Sequence, residues 1–249
     1  MHLGAPPYWL ATPYNVPAMR LTSSAIHEAP AEHGSGLPAR SWLVVGTWLA
    51  ALIVAFFLDA AAARYVRTSG LESHVHGKWF ATVVKLPGYF WFTLIIAAAL
   101  WALHPLRWRA ALFVSLCGIV SGLNWLVKWV AGRTRPYKLP DSIPQPAPFY
   151  LQPFREGLRG LFFHTSNLDF PSGHACLSFA TAAALAYLVP RYRIAFYGGA
   201  AVVTAERVAE NAHYLSDAVA GAAFGIVGVW VIRHLLPRDF FSSDPSGKL

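Results

Sequence analysis

Residues 170–178 read Phe-Pro-Ser-Gly-His-Ala-Cys-Leu-Ser, and they mark the point where a polar, proline-rich segment ends and an apolar run of membrane length begins. Ser172 is a natural N-cap, because its hydroxyl can accept a hydrogen bond from an amide two or three residues later. Gly173 leaves the first helical turn uncovered, so an anion can approach the free N–H groups and the positive end of the helix dipole. His174 stands in the same turn, where an imidazole can exchange a proton with a bound anion. The stretch predicts a phosphate site with an acid beside it, although a serine that follows proline also caps helices that bind no ligand.

Two further stretches place basic and histidine side chains at the ends of apolar runs. The first reads Lys128-Trp-Val-Ala-Gly-Arg-Thr-Arg135-Pro136, and the second reads Glu206-Arg207-Val-Ala-Glu-Asn-Ala-His213-Tyr-Leu-Ser-Asp217. In this order the three stretches resemble the three signature motifs of the type 2 phosphatidic acid phosphatase superfamily, which also contains the vanadium haloperoxidases. The family motifs are Lys, six residues, Arg-Pro; then Pro-Ser-Gly-His; then Ser-Arg, five residues, His, three residues, Asp. Every spacing is met between Lys128 and Asp217.

One residue departs from the family pattern, since Glu206 stands where the third motif has serine. An acid beside a phosphate site repels the ligand unless it points away or pairs with a cation. The departure therefore puts one minor phosphate contact of the family in doubt for this chain.

The resemblance implies a reaction and assigns residues to it. His213 is expected to attack phosphorus and form a phosphohistidine, His174 to protonate the leaving oxygen, and water then to hydrolyse the intermediate. Asp217 follows His213 by four residues, so a helix that begins near His213 makes the two side chains neighbours, and the carboxylate would fix the imidazole tautomer. This scheme requires no metal and no other cofactor. The phosphoryl group is expected to bind the cations and neutral donors of Lys128, Arg135, Arg207, Ser172 and Gly173.

The two cations of the first motif are seven residues apart, which on one continuous helix would place them on the same face. Pro136 disfavours helix at Arg135, so Arg135 is expected to fold back from a loop toward the anion that Lys128 binds. Arg133 and Lys138 are interpreted as interfacial residues whose charged ends extend to water.

The composition indicates a membrane protein, because 55% of the 249 residues are hydrophobic and only 13% are charged. The net charge of +8 fits cytoplasmic loop arginines, anionic lipid headgroups or a phosphate site. Nucleic acid is not an expected partner, since no polar segment carries a basic run with interleaved aromatic residues. Cys117 and Cys176 lie inside apolar runs without paired spacing, so they are expected to be buried thiols and not a disulfide or metal pair.

We expect an all-α fold, an integral membrane six-helix bundle with a long loop between helices 3 and 4. Residues 41–238 would form this domain, between an N-terminal tail at 1–40 that is disordered or loosely attached and a C-terminal tail at 239–249. The N-terminal tail lacks the pattern of a cleaved signal peptide. A bilayer core requires about 20 apolar residues in a helix. The expected spans are about 41–63, 86–103, 108–130, 173–189, 194–209 and 215–236.

Two connections between these spans are interpreted from their composition. Residues 64–85 are polar, and His74 and His76 are too few ligands for a metal site, so a solvated loop is expected. Residues 136–171 are rich in proline and are expected to form a long structured loop of the kind that often covers a site. Within it, residues 154–163 alternate charge and bulk as a short helix lying on the bilayer would.

Several single residues also carry predictions. Asp59 is expected at the membrane interface and not in a proton relay. Asp169 either orients a cation or caps a turn. Gly221, Gly225 and Gly228 are expected to let membrane helices pack closely.

With six spans, all three motifs lie on one side of the membrane. The opposite side carries short loops and a C-terminus dense in arginine, which indicates the cytoplasm. We therefore expect an inner (plasma) membrane protein whose active site faces the periplasm or the extracellular side. The arginines concerned are Arg107, Arg109, Arg191, Arg193, Arg233 and Arg238.

The expected function is hydrolysis of a lipid phosphate or pyrophosphate. By resemblance, the candidate substrates are undecaprenyl pyrophosphate, phosphatidic acid, phosphatidylglycerol phosphate and lipid A phosphates; the sequence does not choose among them, and it leaves the oligomeric state open. One alternative is a phosphotransferase of the same superfamily, in which an alcohol replaces water. Another is a carrier that binds anionic lipid without turnover. A haloperoxidase is disfavoured, because a membrane-embedded site suits lipids.

Overall fold

The computed structural model describes residues 39–138, 151–155, 157 and 168–241. Among them there is no β-strand, only an isolated antiparallel bridge between Thr134 and Leu168. The all-α prediction is confirmed for this part of the chain. The α-helices with described bounds are α1 Ala39–Thr68, α2 Leu71–Val75, α3 Trp79–Lys85, α4 Phe90–Leu103, α5 Arg107–Gly122, α6 Asn124–Ala131, α7 Gly173–Leu188, α8 Arg193–Ala209 and α9 Leu215–Leu235. Short 3-10 turns occupy Leu86–Gly88, Pro136–Lys138, Pro190–Tyr192 and Arg238–Phe241.

The chain is a multi-pass membrane protein. In the described part, three stretches are long and apolar enough to cross a bilayer, Trp42–Thr68, Arg107–Ala131 and Leu215–Leu235. A fourth is a bent pair, Trp79–Gly88 and Phe90–Leu103, whose two helices meet at 66°. α7 is apolar but has only 16 residues. Length and composition thus support three or four spans, and the count of six stays a prediction.

The prediction of a loop at residues 64–85 is wrong, although most of these residues are exposed, as the prediction expected. α1 continues to Thr68, and α2 and α3 occupy most of the remainder. Glu72 accepts a hydrogen bond from Asn211 at 3.1 Å, and Lys85 donates one to Glu210 at 2.8 Å. Glu72 and Lys85 thus hold α2 and α3 against the segment that follows α8, whereas His74 and His76 are exposed.

Most of the predicted long loop lies outside the described residues, as does most of the predicted interfacial helix at 154–163. Of the N-terminal segment 1–40, only the last two residues are described, and they begin α1. At the other end, the ring of Phe241 packs edge to face on Phe113, with centroids 5.1 Å apart.

α7 and α9 pack closely because both present small residues at their contact. A Cβ on Gly221 would overlap the carbonyl group of Ser172, and one on Gly225 would overlap that of Cys176. Close packing through these two glycines is therefore confirmed, and it brings the first turn of α9 to the first turn of α7. Cys117 and Cys176 are both free and buried, as predicted.

Gly132 ends α6 in the left-handed conformation, with φ of 61°. Added bulk at Gly132 would overlap the carbonyl of Gln152, so glycine is required on both conformational and steric grounds. The chain then leaves the helix, and Arg135 lies in the connection before Pro136, as predicted from the proline.

Candidate active site

Hydrogen bonds from the first motif join the C-terminal end of α6 to the residues just before α7. Lys128 donates from Nζ to the carbonyl oxygens of Asp169 at 2.8 Å and Leu168 at 3.3 Å. The backbone N–H of Asp169 donates to the carbonyl of Arg133 at 2.9 Å. An ammonium has three donors, so Lys128 keeps one N–H for a ligand.

The second motif begins α7 with the predicted N-cap. The hydroxyl of Ser172 accepts from the backbone N–H of Ala175 at 3.4 Å, and the N–H of Ser172 donates to the carbonyl of Asp217 at 2.9 Å. A Cβ on Gly173 would lie 3.8 Å from Cε of Lys128 and 3.5 Å from Nδ2 of Asn124. The uncovered first turn of α7 therefore faces the side chain of Lys128, as an anion site requires.

His174 is held by the bend between α3 and α4. Its ring packs edge to face on Tyr89, with centroids 4.9 Å apart, and it lies directly against Gly88. Nε2 of His174 is buried and has no hydrogen-bond partner among the described residues. This nitrogen is therefore available to a ligand in the site.

His213 faces two carboxylates. Its Nδ1 is in direct contact with Oδ1 of Asp169, whereas Oδ2 of Asp217 lies 3.9 Å away. Asp217 instead accepts from the backbone N–H of Tyr214 at 2.8 Å and from Arg133 at 2.6 Å. The expectation that the i, i+4 spacing pairs Asp217 with His213 needs correction, because the cap at the start of α9 draws Asp217 away and Asp169 is the nearer carboxylate.

The surroundings of His213 favour the neutral imidazole. Burial, together with the charges of Lys128 and Arg135, holds the pKa of His213 well below its ordinary value. Burial raises the pKa of Asp169 above its ordinary value, against the opposing effect of the same two cations. A neutral imidazole is the form that can act as a nucleophile.

The charges of the three predicted phosphate cations reach both histidines. Lys128, Arg135 and Arg207 all act electrostatically on His174 and on His213. Arg135 and Arg207 each have a buried Nε without a hydrogen-bond partner in the described part of the chain. Buried donors are costly when unpaired, and an anion bound between the histidines would pair them.

Glu206 turns out to lie in a cluster of opposite charges. Its carboxylate lies 3.7 Å from Lys85 and 3.7 Å from Arg207, and Arg207 also contacts Glu210 directly. Burial alone would raise the pKa of Glu210, but the hydrogen bond from Lys85 and the charge of Arg207 hold it below the ordinary value. The acid that replaces the family serine therefore lies between two cations, which reduces the electrostatic objection to it, although neither of its oxygens has a hydrogen-bond partner among the described residues.

One group of side chains within the described residues has the ligand atoms and spacing to coordinate a metal ion. Asp169, His213 and Asp217 offer atoms within 4.8 Å of one another. However, Arg133 already pairs with Asp217 at 2.6 Å, and Lys128 lies close enough to oppose a second positive charge. The charges around this group suit an anion better than a metal cation.

Three polar residues are buried beside this site although the sequence does not predict their contacts there. Arg133 is 2% exposed and Asp59 is 1% exposed, so the charged end of Arg133 does not extend to water as expected, and the two side chains are buried partners. Asn124, which donates to the carbonyl of Pro171 at 3.3 Å, also lies against Gly173. Each is a polar residue inside or beside an apolar run, and in the sequence only that position indicates that the residue needs a buried partner.

Comparison with known proteins identifies the family. The model of the PAP2 superfamily matches residues 108–241, which include all three motifs. A lipid A 1-phosphatase of Rhizobium johnstonii is 39% identical over 123 residues, which cover 46% of this chain and 46% of that protein. A lipid A 1-phosphatase of Rhizobium etli is also 39% identical over 123 residues, covering 46% of this chain and 48% of the relative. The chain spans about half the length of the curated relatives it matches.

Among solved structures, a PAP2 type phosphatidylglycerolphosphate phosphatase from Bacillus subtilis is similar to the chain. The match covers 74% of this chain and 93% of the other, at 22% sequence identity and a TM-score of 0.44.

Proposed function

The chain belongs to the PAP2 superfamily, and on this basis we propose that it is a membrane phosphatase that hydrolyses a lipid phosphate or diphosphate through a phosphohistidine on His213. One observation carries the proposal. The charges of three cations act on two histidines, the buried His213 and the half-buried His174, and one nitrogen each of Arg135, Arg207 and His174 is buried without a hydrogen-bond partner among the described residues. Such an arrangement can stabilise a phosphoryl group while one histidine attacks it and the other exchanges a proton.

In the first step, Nε2 of His213 attacks phosphorus, since Nδ1 faces Asp169. The bond between phosphorus and the lipid oxygen breaks, and His174 gives its proton to that oxygen. Negative charge on the three equatorial oxygens is stabilised by the cations and by the N–H groups at the start of α7. In the second step, water attacks the phosphohistidine, His174 takes the proton of the water, and phosphate leaves with His213 restored.

The proposed reaction uses protein cations where other phosphatases use a metal. Lys128, Arg135 and Arg207 supply the positive charge, and Arg207 is oriented by its contact with Glu210. We therefore propose that no metal and no other cofactor is required, and that Ser172 and Gly173 contribute neutral donors from the first turn of α7.

The substrate is proposed from the relatives' names. Both curated relatives are lipid A 1-phosphatases, which favours a lipid A phosphate over undecaprenyl pyrophosphate, phosphatidic acid and phosphatidylglycerol phosphate. The site chemistry by itself suits any of these phosphate groups. A phosphotransferase would differ only in the second step, where an alcohol would attack in place of water.

Phosphate release by the purified full chain in detergent tests the function directly. Each of the four lipids is supplied alone, and the wild-type protein is compared with His213→Ala. Release by the wild type and none by the variant is expected, with a radioactive phosphate label retained on the wild-type protein after a rapid alkaline denaturing quench, because the bond between phosphorus and an imidazole nitrogen is stable in base and labile in acid. A lipid that binds without phosphate release would favour the carrier, and transfer to an added alcohol without release would favour the transferase.

We further propose that residues 41–238 form six spans and that the site faces the periplasm or the extracellular side of the inner membrane. The support is the dense arginine of the short loops on the other side. A reporter fused after Arg193 should be cytoplasmic, and one inserted near Gln145 should be periplasmic. The opposite labelling would refute this orientation.

A further inference from the structure

A buried arginine connects the first membrane span to the start of α9. Nη2 of Arg133 donates to Oδ2 of Asp59 in α1 at 2.7 Å. Nη1 of Arg133 donates to Oδ1 of Asp217 at 2.6 Å and to the hydroxyl of Ser216 at 2.7 Å. The two ends of one guanidinium therefore bind two carboxylates that lie 158 positions apart in the numbering of the printed sequence.

Asp59 also binds the first turn of α9 without the arginine. Its Oδ1 accepts from the backbone N–H of Ser216 at 2.8 Å, and its Oδ2 accepts from the hydroxyl of Ser216 at 2.5 Å. The first turn of a helix has free N–H groups at the positive end of the dipole, so a carboxylate there is stabilised. Asp59 thus acts as a cap supplied by another helix.

Aromatic rings fix the plane of the guanidinium. The carbon Cζ of Arg133 lies 4.0 Å from the ring centroid of Tyr214 and 5.5 Å from that of Phe56. Phe56 in turn stacks on Phe170, with centroids 5.9 Å apart. Arg133 is therefore held in one orientation by cation–π contacts as well as by hydrogen bonds.

The proposed nucleophile directly precedes the same first turn. His213 precedes α9 by two residues, and Asp217 ties the turn to its neighbours by accepting from the N–H of Tyr214 and by offering its carbonyl to the N–H of Ser172. We propose that Asp59 and Arg133 are positioning residues that fix His213 relative to the phosphate site at the start of α7. The inference rests on the proposed function, because it concerns the residue that attacks phosphorus.

Asp59 lies outside the stretch of the chain that matches the family and outside all three motifs. Asp59 lies in α1, whereas the PAP2 match begins at residue 108. A buried ion pair is weak support for stability by itself, because desolvation offsets much of the attraction between its charges. The network joins α1 to α9 and ends beside His213, so its role is better explained by holding His213 in place than by adding stability.

Three variants separate position from charge and from stability. Arg133→Lys keeps the charge, but one ammonium cannot reproduce a planar fork that binds two carboxylates. Asp59→Asn keeps the shape and removes the charge, and Asp59→Leu removes the acceptors of Ser216. Thr47→Val is the matched control, since Thr47 lies in α1 and its exposed hydroxyl donates within the same helix, to the carbonyl of Leu43.

We expect Arg133→Lys and Asp59→Leu to lower kcat by about 100-fold, because a misplacement of about 1 Å at a reacting group has that effect. In Asp59→Leu, KM should stay within about 3-fold, since none of the phosphate cations lies on α1, and Asp59→Asn should retain part of the kcat that Asp59→Leu loses. The measurements are kcat and KM for phosphate release, each expressed per folded protein from a size-exclusion and thermal-unfolding assay in detergent. Thr47→Val should match the wild type.

Wild-type kcat per folded molecule in Arg133→Lys and Asp59→Leu would overturn the inference and leave the proposed function intact. A loss of activity that only follows the loss of folded protein would overturn it too, because the network would then act on stability alone. A wild-type protein that releases no phosphate from any of the four lipids would overturn the proposed function, and the inference with it.

Discussion

Gly88 offers a way to move His174 without changing any proposed catalytic side chain. A Cβ at this position would lie 2.5 Å from Cδ2 of His174 and 2.9 Å from its Cβ and Cγ. The backbone of Gly88 is not left-handed, so alanine introduces no conformational strain of its own. The effect of Gly88→Ala therefore comes from the overlap with the imidazole.

The size of the effect follows from the contact distance. Carbon atoms in contact are separated by about 3.5 Å, and the shortest distance after the substitution would be 2.5 Å, so the ring or the Leu86–Gly88 turn must move by about 1 Å. A shift of that size at a group in the reaction lowers the rate by about 100-fold. We expect kcat for a lipid phosphate to fall by about that factor in Gly88→Ala.

The assay compares two leaving groups. A lipid alcohol needs a proton from His174 as it leaves, whereas an acidic phenol leaves with little help. The loss should therefore be large for lipid phosphate and several-fold smaller for an aryl phosphate, with vanadate affinity changed little. Gly198→Ala is the control, because a Cβ at Gly198 meets no atom within 4 Å. Wild-type kcat in Gly88→Ala, or equal losses on both substrates, would refute the reasoning that the turn before α4 positions His174 as the acid.

Three other outcomes are expected. Burial and the charges of Lys128 and Arg135 lower the pKa of His213. The acidic limb of the pH profile of kcat/KM should therefore lie below the ordinary imidazole pKa of about 6.5, and Arg135→Gln should move this limb to higher pH. If the limb does not move in Arg135→Gln, it belongs to another titrating group. Vanadate should inhibit competitively, and Arg207→Ala should weaken vanadate binding and turnover together, since both depend on the same equatorial charge; weaker vanadate with unchanged turnover would contradict this. Chelators should change the rate of phosphate release by less than about 2-fold relative to untreated protein, because protein cations supply the positive charge. Activity that is lost with a chelator and restored by a divalent metal would contradict this and would point to an ion at Asp169, His213 and Asp217.

The correction at Asp217 shows how far spacing alone can be carried. A separation of four residues places two side chains on one helix face, and this spacing predicts that Asp217 pairs with His213. The structure has His213 just before α9 and Asp217 in its first turn, where unpaired N–H groups attract a carboxylate. Asp169 comes nearer to His213 through a contact between the first and second motifs, which no local pattern in the chain reveals.

The sequence by itself determined the membrane class, the all-α fold, the N-cap at Ser172, the exit of Arg135 from the helix and the close packing at Gly221 and Gly225. These depend on short-range physics, because an apolar run, a cap residue, a proline or a glycine acts on its own few neighbours. The tertiary structure alone decided that Asp59 and Arg133 are buried partners, that Glu206 is paired with Lys85, and that Gly88 lies against His174. Each of these contacts joins residues far apart in the chain or on separate helices. A polar residue in an apolar run shows that a partner is needed, but only the packing of the helices shows which partner it has.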